Sequence, residues 1–131
     1  MIQTIGVDVV YWVYMLRCSN GALYTGYTND LDKRYEAHLT GHGAKYTRSF
    51  KPLQIAQAWR MNNKALALKI EAYVKSLDKS AKEKRITQPE YLVQLFEHEL
   101  DKKTPVFLRI KQKRTPSFCL QNEKQPVYFN Y

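Results

Sequence analysis

The chain has 131 residues, which is enough for one hydrophobic core. Its apolar runs are far shorter than the roughly 20 residues that cross a bilayer, and no lysine or arginine precedes the first of them, which is the wrong charge order for a secretory signal. We therefore expect a cytoplasmic protein without a membrane span. A formal net charge of +9, from 21 Lys and Arg against 12 Asp and Glu, favours a polyanionic partner such as nucleic acid without requiring one.

The first predicted elements are two antiparallel strands at residues 11–17 and 23–28. Both segments are rich in aromatic and branched side chains, which favour strands. The tripeptide Ser-Asn-Gly at 19–21 lies between them and is a strong hairpin signal. A β-hairpin is therefore expected near the start of the fold.

The length of the hairpin loop decides where two tyrosines point. A two-residue loop pairs Tyr14 with Tyr27 and sends the side chains of Tyr14 and Tyr24 to opposite faces. A three-residue loop with Gly21 in a left-handed bulge pairs Tyr14 with Gly26 and puts both hydroxyls on one face. Shared chemistry needs the second register, although tyrosines are also common as ordinary core residues of strands.

A helix is predicted over residues 30–40. Asn29 can cap its N-terminus, two aspartates lie in its positively polarised first turn, and Gly41 and Gly43 end it. Further along the chain, apolar and polar residues first alternate in part and then recur with the spacing of helices. The tail that follows is divided by prolines. The resulting predictions are a third strand at 53–61, helices at 63–77, 80–87 and 89–100, and an uncertain strand at 106–110.

Arg34 and His38 are four positions apart on the first predicted helix, so both side chains project from one face. Arginine stays charged and donates paired hydrogen bonds, which suits a phosphate and the charge of a transition state. Histidine accepts or relays a proton near neutral pH. An exposed Arg and His on a solvated helix face is the ordinary alternative.

Glu71 lies beside the apolar stripe of the helix predicted at 63–77, since Ala67 and Val74 are one turn away on either side. A carboxylate in that position is costly unless it is solvated, paired with a cation or bound to a metal. Lys75, four residues later, is a favourable ion-pair partner. The local sequence fits a salt bridge and a metal ligand equally well.

These residues together resemble the GIY-YIG endonucleases. The run VYMLRCSNGALYTGYTNDLDKRYEAH looks like the motif of that superfamily, and the segments GHGAKYTRSFKP and KALALKIEAYVKSLDKSAKEKRI are similar to its small stand-alone bacterial members. The likeness covers about residues 10–87. It keeps in order Tyr14, Tyr24, Gly26, Arg34, His38 and Glu71.

The resemblance implies a fold and an activity. The expected fold is α+β, a small three-stranded antiparallel sheet flanked by helices, with a C-terminal extension. The nuclease-like domain would span residues 1–90, and residues 91–131 would add a helix and a basic extension, packed on the domain or appended to it. The implied activity is a metal-dependent endonuclease of the repair or recombination type that hydrolyses phosphodiester bonds in nucleic acid, DNA in particular.

The resemblance also assigns roles to single residues. In the family pattern the position of Tyr24, or in some members that of Tyr14, acts with His38 in activating water. Arg34 holds the phosphate, and Glu71 binds one divalent cation, magnesium or manganese. Such a cation keeps much of its bound water, and substrate phosphate often completes its coordination shell. These five side chains are the expected catalytic residues, with Glu71 as the metal ligand.

Other basic residues are expected to contact the nucleic-acid backbone. By position these are Lys45, Arg48 and Lys75. Residues 102–131 hold seven basic residues and one acidic residue, so this tail could add affinity. Glu83, where several family members carry asparagine, is an unfavourable neighbour for a phosphate unless the helix turns it away.

Two alternatives to a nuclease remain open at this point. A catalytically weak nucleic-acid-binding module would keep the fold and bind with a steep salt dependence, but it would not cut. An interaction protein would use the hairpin and helices only as a scaffold, with Glu71 bonded to Lys75 and the two tyrosines buried apart. Retention of all five reactive side chains favours the nuclease.

Overall fold

The computed structural model describes residues 9–100 and Phe107. Within this part of the chain three strands and five helices follow one another. None of these helices combines the length and the apolar character needed to span a membrane. The elements are β1 (Tyr11–Cys18), β2 (Leu23–Thr28), α1 (Leu31–Leu39), α2 (Lys45–Ser49), β3 (Pro52–Met61), α3 (Lys64–Lys75), α4 (Lys79–Thr87) and α5 (Glu90–Leu95).

The strands form one antiparallel sheet in the order β2-β1-β3. Tyr14 pairs with Gly26, and Gly21 has a φ of 86°, a left-handed conformation that glycine adopts without a steric penalty. The hairpin therefore has the three-residue register, and Tyr14 and Tyr24 lie on one face, which is the alternative that shared chemistry needs. The predicted α+β class and the three-stranded antiparallel sheet are confirmed.

A β-bulge in β3 explains why its sequence alternates only in part. Met15 pairs with Gln57 but Leu16 pairs with Ile55, so Ala56 is an extra residue on β3. The slip places Ile55 on the side of the sheet that carries Leu16, while Gln57 stays on the side of Met15. If apolar and polar residues had alternated strictly along β3, the apolar residues would all lie on one side of the sheet.

Both sides of the sheet are covered, and each has its own buried cluster. We name them the α3 face, where α3 and α5 pack, and the α1 face, where α1 packs. The α3 face includes Val13, Met15, Trp59, Ile70, Val74, Leu92 and Phe96. The α1 face includes Tyr14, Leu16, Leu31, Tyr35, Ile55 and Ala58.

The start of α1 is displaced by one residue from the prediction. Asp30, rather than Asn29, is the cap, and its carboxylate accepts the Lys33 N–H at 3.1 Å. The Asp30 N–H donates to Thr28 Oγ1 at 3.1 Å, which orients the cap. A carboxylate at the positive end of a helix is more favourable than a neutral amide. Gly41, with φ of 85°, follows the end of the helix, as predicted.

The later helices agree with the sequence patterns except in two places. The helices predicted at 63–77 and 80–87 are present as α3 and α4. The helix predicted at 89–100 is shorter, because α5 ends at Leu95 and the chain then turns so that Phe96 is buried in the α3 face. The single turn of α2 was not predicted, since five residues are too few to show helical periodicity.

α5 belongs to the packed core, with Leu92 fully buried in the α3 face. Phe107 forms an antiparallel bridge with Trp59 of β3. The rest of the strand predicted at 106–110 lies outside the described residues. The domain division expected at residue 90 stays a prediction.

Candidate active site

Two tyrosines from adjacent strands form the floor of the candidate site. Tyr14 of β1 is buried and Tyr24 of β2 is partly exposed, with ring centroids 6.5 Å apart. Gly26 pairs with Tyr14, and a Cβ there would lie 2.6 Å from the Tyr14 hydroxyl. Glycine at this position therefore leaves room for the phenol to lie across β2, close to Tyr24.

His38 in the last turn of α1 meets Tyr14 from above the sheet. Tyr14 Oη lies 2.9 Å from His38 Nε2, and both side chains are buried. Burial raises the pKa of Tyr14 to about 12. Burial also lowers the pKa of His38 to about 4, with a smaller contribution from the charge of Arg34. At neutral pH the phenol is thus protonated and the imidazole neutral, so Tyr14 donates and Nε2 accepts.

Thr47 of α2 fixes the tautomer of His38. The Thr47 hydroxyl donates to the Ala44 carbonyl at 2.9 Å, and its oxygen lies 2.8 Å from His38 Nδ1. Because the hydroxyl proton is committed to the carbonyl, Thr47 Oγ1 accepts the Nδ1–H and leaves the Nε2 lone pair for Tyr14. The hydrogen bonds form one directed, buried chain from Tyr14 through His38 and Thr47 to the backbone of Ala44.

Gly43 makes room for this chain. A Cβ on Gly43 would lie 2.8 Å from His38 Cγ and would collide with Nδ1. Sequence patterns assigned Gly43 to the end of α1, but its φ is not positive and Gly41 has that role. Gly43 and Thr47 are contacts of His38 that sequence reasoning missed, because their link to His38 exists only once the loop folds back over the helix.

Arg34 lies one turn before His38 on α1, beside the phenol of Tyr14. Its guanidinium lowers the pKa of Tyr14, against the larger effect of burial. Arg34 is partly exposed, and within residues 9–100 it forms no ion pair with a carboxylate. A partly exposed positive charge without an acidic partner in this part of the chain suits an anion.

Glu71 lies on α3, which packs on the other face of the sheet. Its negative charge raises the pKa of Tyr14. The Glu71 side chain is 15% exposed. Its one ion-pair partner in the described residues is Lys75, whose side chain is 55% exposed and whose Nζ lies 3.3 Å from one carboxylate oxygen. Of the two roles that the local sequence left open, the salt bridge is therefore present, but its lysine is mostly solvated.

The chain belongs to a known family. The GIY-YIG catalytic domain matches residues 10–85, which is more than half of the chain. This is a GIY-YIG protein. The GIY-YIG domain is a nuclease domain, so the chain has the catalytic domain of a nuclease family.

Similar proteins come from several bacteria. A UPF0213 protein of Fusobacterium nucleatum is 38% identical over 90 residues, which cover 69% of this chain and 90% of that protein. The UPF0213 protein YhbQ of Salmonella arizonae is 41% identical over 80 residues, which cover 61% of this chain and 80% of its own. The solution NMR structure of a UPF0213 protein from Bacillus halodurans is 35% identical, covers 72% of this chain and 89% of that one, and has a TM-score of 0.38.

The candidate site of this GIY-YIG protein has basic side chains on two sides. Lys45 and Arg48 are exposed on α2, and Lys75 lies beside Glu71. Sequence reasoning did not single out Lys82 of α4, whose Nζ donates to the Leu23 carbonyl at 3.3 Å, one residue before Tyr24. Burial lowers the pKa of Lys82, and the charge of Lys75 lowers it further. Two neighbouring lysine charges favour an anion between or beside them.

Glu83 does not carry a free charge toward this region. Its two carboxylate oxygens accept hydrogen bonds from Arg17 at 2.7 and 2.9 Å. These hydrogen bonds, together with the charge of Arg17, lower the pKa of Glu83. The expected conflict between Glu83 and a phosphate is therefore relieved by a bidentate ion pair between β1 and α4.

Proposed function

We propose that this GIY-YIG chain is an endonuclease that hydrolyses a phosphodiester bond in DNA with the help of a divalent cation. The observation that carries the proposal is the convergence of four groups on one hydroxyl. The Tyr14 hydroxyl lies 2.9 Å from His38 Nε2, the ring centroids of Tyr14 and Tyr24 are 6.5 Å apart, and the charges of Arg34 and Glu71 both act on the pKa of Tyr14. The helix α1, the sheet and the helix α3 each supply at least one of these groups. A cluster with only a structural role would not require polar groups from all three layers.

Water activation is assigned to Tyr14 and His38. The Tyr14 oxygen takes a proton from the attacking water while its own proton passes to His38 Nε2. The resulting hydroxide forms a bond to phosphorus, the bridging P–O bond breaks, and the leaving oxygen is protonated by solvent. Neutral His38 is a weak proton acceptor, but the negative charge of a bound phosphate favours the imidazolium form.

Tyr24 and Arg34 are assigned to the phosphate. The Tyr24 ring packs edge-on against His38, with centroids 5.2 Å apart, so its hydroxyl can orient the water or a phosphate oxygen. Arg34 supplies a fixed positive charge where the transition state gains negative charge. The sequence left open which tyrosine acts with the histidine, and the 2.9 Å contact favours Tyr14.

Glu71 is the residue that would hold the cation. A mostly buried carboxylate with one long ion pair has an oxygen available for a hard cation. No group of three His, Cys, Asp or Glu that could enclose an ion occurs among the described residues. An ion held by Glu71 would need water and substrate phosphate as further oxygen ligands, and it would supply charge neutralisation for the leaving oxygen.

The DNA backbone is expected to follow the basic side chains on both sides of the site. Lys45 and Arg48 lie on one side and Lys75 and Lys82 on the other. Neutralising phosphates releases counterions, so binding should weaken steeply as salt rises. A role in DNA repair or recombination and a cytoplasmic location are part of the same proposal.

The direct test is cleavage of supercoiled plasmid, branched DNA and single-stranded DNA by the purified chain. We expect cutting with magnesium or manganese and none with a chelator. Glu71→Gln should abolish cutting, whereas Glu90→Gln, an exposed carboxylate on α5, should cut like the wild type. Absence of cutting on every substrate, or equal cutting by Glu71→Gln, would overturn the proposal. Binding without cutting would identify the chain as a nucleic-acid-binding module.

A further inference from the structure

The short helix α2 presents two exposed aromatic rings next to the site. The side chains of Tyr46 and Phe50 are 39% and 38% exposed. The Tyr46 ring is nearly parallel to that of Tyr24, with centroids 6.4 Å apart and an interplanar angle of 19°, and the Phe50 centroid lies 5.2 Å from that of Tyr46. We name Tyr24, Tyr46 and Phe50 the aromatic ledge. It runs outward from the candidate active site to the surface.

The ledge is held in place although much of it is open to solvent. Asn20 in the hairpin loop donates from Nδ2 to the Tyr46 hydroxyl at 3.0 Å. The Asn20 side chain is itself fixed, because its Oδ1 accepts the Ala22 N–H at 3.2 Å. A ring whose orientation is already fixed loses little entropy when a ligand stacks on it.

The charge around the ledge selects the kind of partner. No acidic residue occurs between Glu36 and Glu71 in the sequence. Within that span Lys45 and Arg48 flank Tyr46, and Lys51 follows Phe50. All three basic side chains are exposed. Fixed aromatic rings with interleaved positive charges match a nucleic-acid strand, whose bases stack and whose phosphates are anionic.

We propose that the aromatic ledge stacks an unpaired base of the DNA strand, the one next to the scissile phosphate. The assignment rests on the proposed function, since Tyr24 belongs to both the catalytic site and the ledge. In a duplex the faces of each base are covered by its neighbours, so a base can stack on a side chain only where it is unstacked from the helix. The preferred substrate therefore has at least one unpaired nucleotide beside the bond that is cut.

A binding experiment tests the ledge without relying on cleavage. The probe is a single-stranded oligonucleotide with 2-aminopurine, whose fluorescence falls on stacking, compared with the same strand in a duplex. Protein carrying Glu71→Gln is used so that the probe stays intact. We expect tighter binding of the single strand, with quenching. The double variant Tyr46→Leu with Phe50→Leu should weaken single-strand binding about tenfold to a hundredfold and remove most of the quenching.

Two further variants make the result specific to the rings. Tyr91→Leu removes an exposed tyrosine from α5, on the other face of the sheet, and should leave single-strand binding unchanged. Tyr46→Phe keeps the ring and should retain most of the single-strand affinity, whereas Tyr46→Leu alone should lose it. Circular dichroism checks that each variant is folded, which the exposure of both rings favours.

The outcomes separate this proposal from the nuclease itself. If the wild type cuts DNA but the double variant binds the single strand as tightly as the parent, the ledge is refuted and the nuclease stands. If the wild type never cuts but the double variant loses single-strand affinity, the ledge is a binding surface and the nuclease fails. Equal quenching of single-stranded and duplex probes would also overturn the requirement for an unpaired base.

Discussion

The two faces of the sheet are made from the same strands but have different roles. On the α3 face, Val13 and Met15 of β1 pack with Ile70 and Val74 of α3 in a continuous apolar cluster. Tyr14 lies between Val13 and Met15 in sequence, but its side chain points to the α1 face. Its phenol is buried together with an imidazole and a threonine hydroxyl.

Burying polar groups is costly unless they bond to one another, and the α1 face meets this condition by its chain of hydrogen bonds. Tyr14, His38 and Thr47 satisfy each other internally and end on a backbone carbonyl. The α3 face contributes mainly hydrophobic stabilisation. The difference teaches that substitutions in the apolar cluster of the α3 face, to which Glu71 does not belong, should change stability, whereas substitutions of Arg34 and the buried polar groups of the α1 face should change chemistry.

Arg34→Ala should produce the largest effect on the α1 face. Loss of a positive charge at the phosphate is expected to slow single-turnover cleavage about 100- to 1000-fold. The free energy of unfolding should change by less than about 0.5 kcal/mol, because Arg34 is partly exposed and has no carboxylate partner within residues 9–100. Lys33→Ala, an exposed neighbour, serves as the control. Cleavage at the wild-type rate by Arg34→Ala would remove the arginine from the site.

Leu92→Ala should show the reverse pattern on the α3 face. Leu92 is fully buried, so its truncation is expected to lower the free energy of unfolding by about 2–5 kcal/mol. Cleavage per folded molecule should stay at the wild-type rate below the unfolding transition. Leu95→Ala removes an exposed leucine from the same helix and should change little. A strong loss of cleavage by folded Leu92→Ala would show that the faces are not separable.

Acid should weaken the α1 face specifically. Unfolded His38 takes up a proton near its ordinary pKa of 6.5, while the folded imidazole stays neutral down to about 4. The unfolded state therefore binds more protons in this window, so stability falls as pH drops from 6.5 to 4, by about 3 kcal/mol from this group. Urea unfolding at several pH values measures this loss of stability, and His38→Gln should remove the part of the pH dependence that comes from His38. A His38 titration near 6.5 by NMR would contradict the assignment.

Thr47→Val should have the smallest effect of the four, and it tests positioning. The variant leaves the buried Nδ1–H of His38 without an acceptor, which costs about 1–3 kcal/mol. The ¹⁵N chemical shifts should show a loss of the single tautomer, and cleavage should fall with kcat rather than KM. Thr47→Ser, which keeps the hydroxyl, should recover both. A Thr47→Val protein with the wild-type tautomer and stability would mean that Thr47 only fills space.

The strands and the longer helices were predictable because their cues are local. The loop at 19–21 predicted a hairpin with two possible registers, and Gly21 has the conformation that the observed register needs. Asp30 caps α1 instead of Asn29 because Thr28 holds it in place. Residue preferences for helix caps do not include such a contact. α2 was missed because one turn has no period to detect.

The candidate site was predictable only for residues whose type and order match the family motif. The roles of Tyr14, Tyr24, Arg34, His38 and Glu71 came from the resemblance and stay proposals. Thr47 has no motif that links it to His38. Lys82 and the Arg17–Glu83 pair depend on contacts between elements far apart in the chain. Such contacts follow from tertiary packing, which spacing rules cannot supply.

Tyr14→Phe gives the most direct test, because it deletes only the oxygen on which the other groups converge. The measurement is single-turnover cleavage with magnesium, alongside DNA binding and unfolding of the same protein. We expect a folded protein that binds DNA like the wild type and cuts it at least about 100-fold more slowly. Cutting at the wild-type rate by folded Tyr14→Phe would contradict the assignment of water activation to Tyr14 and His38.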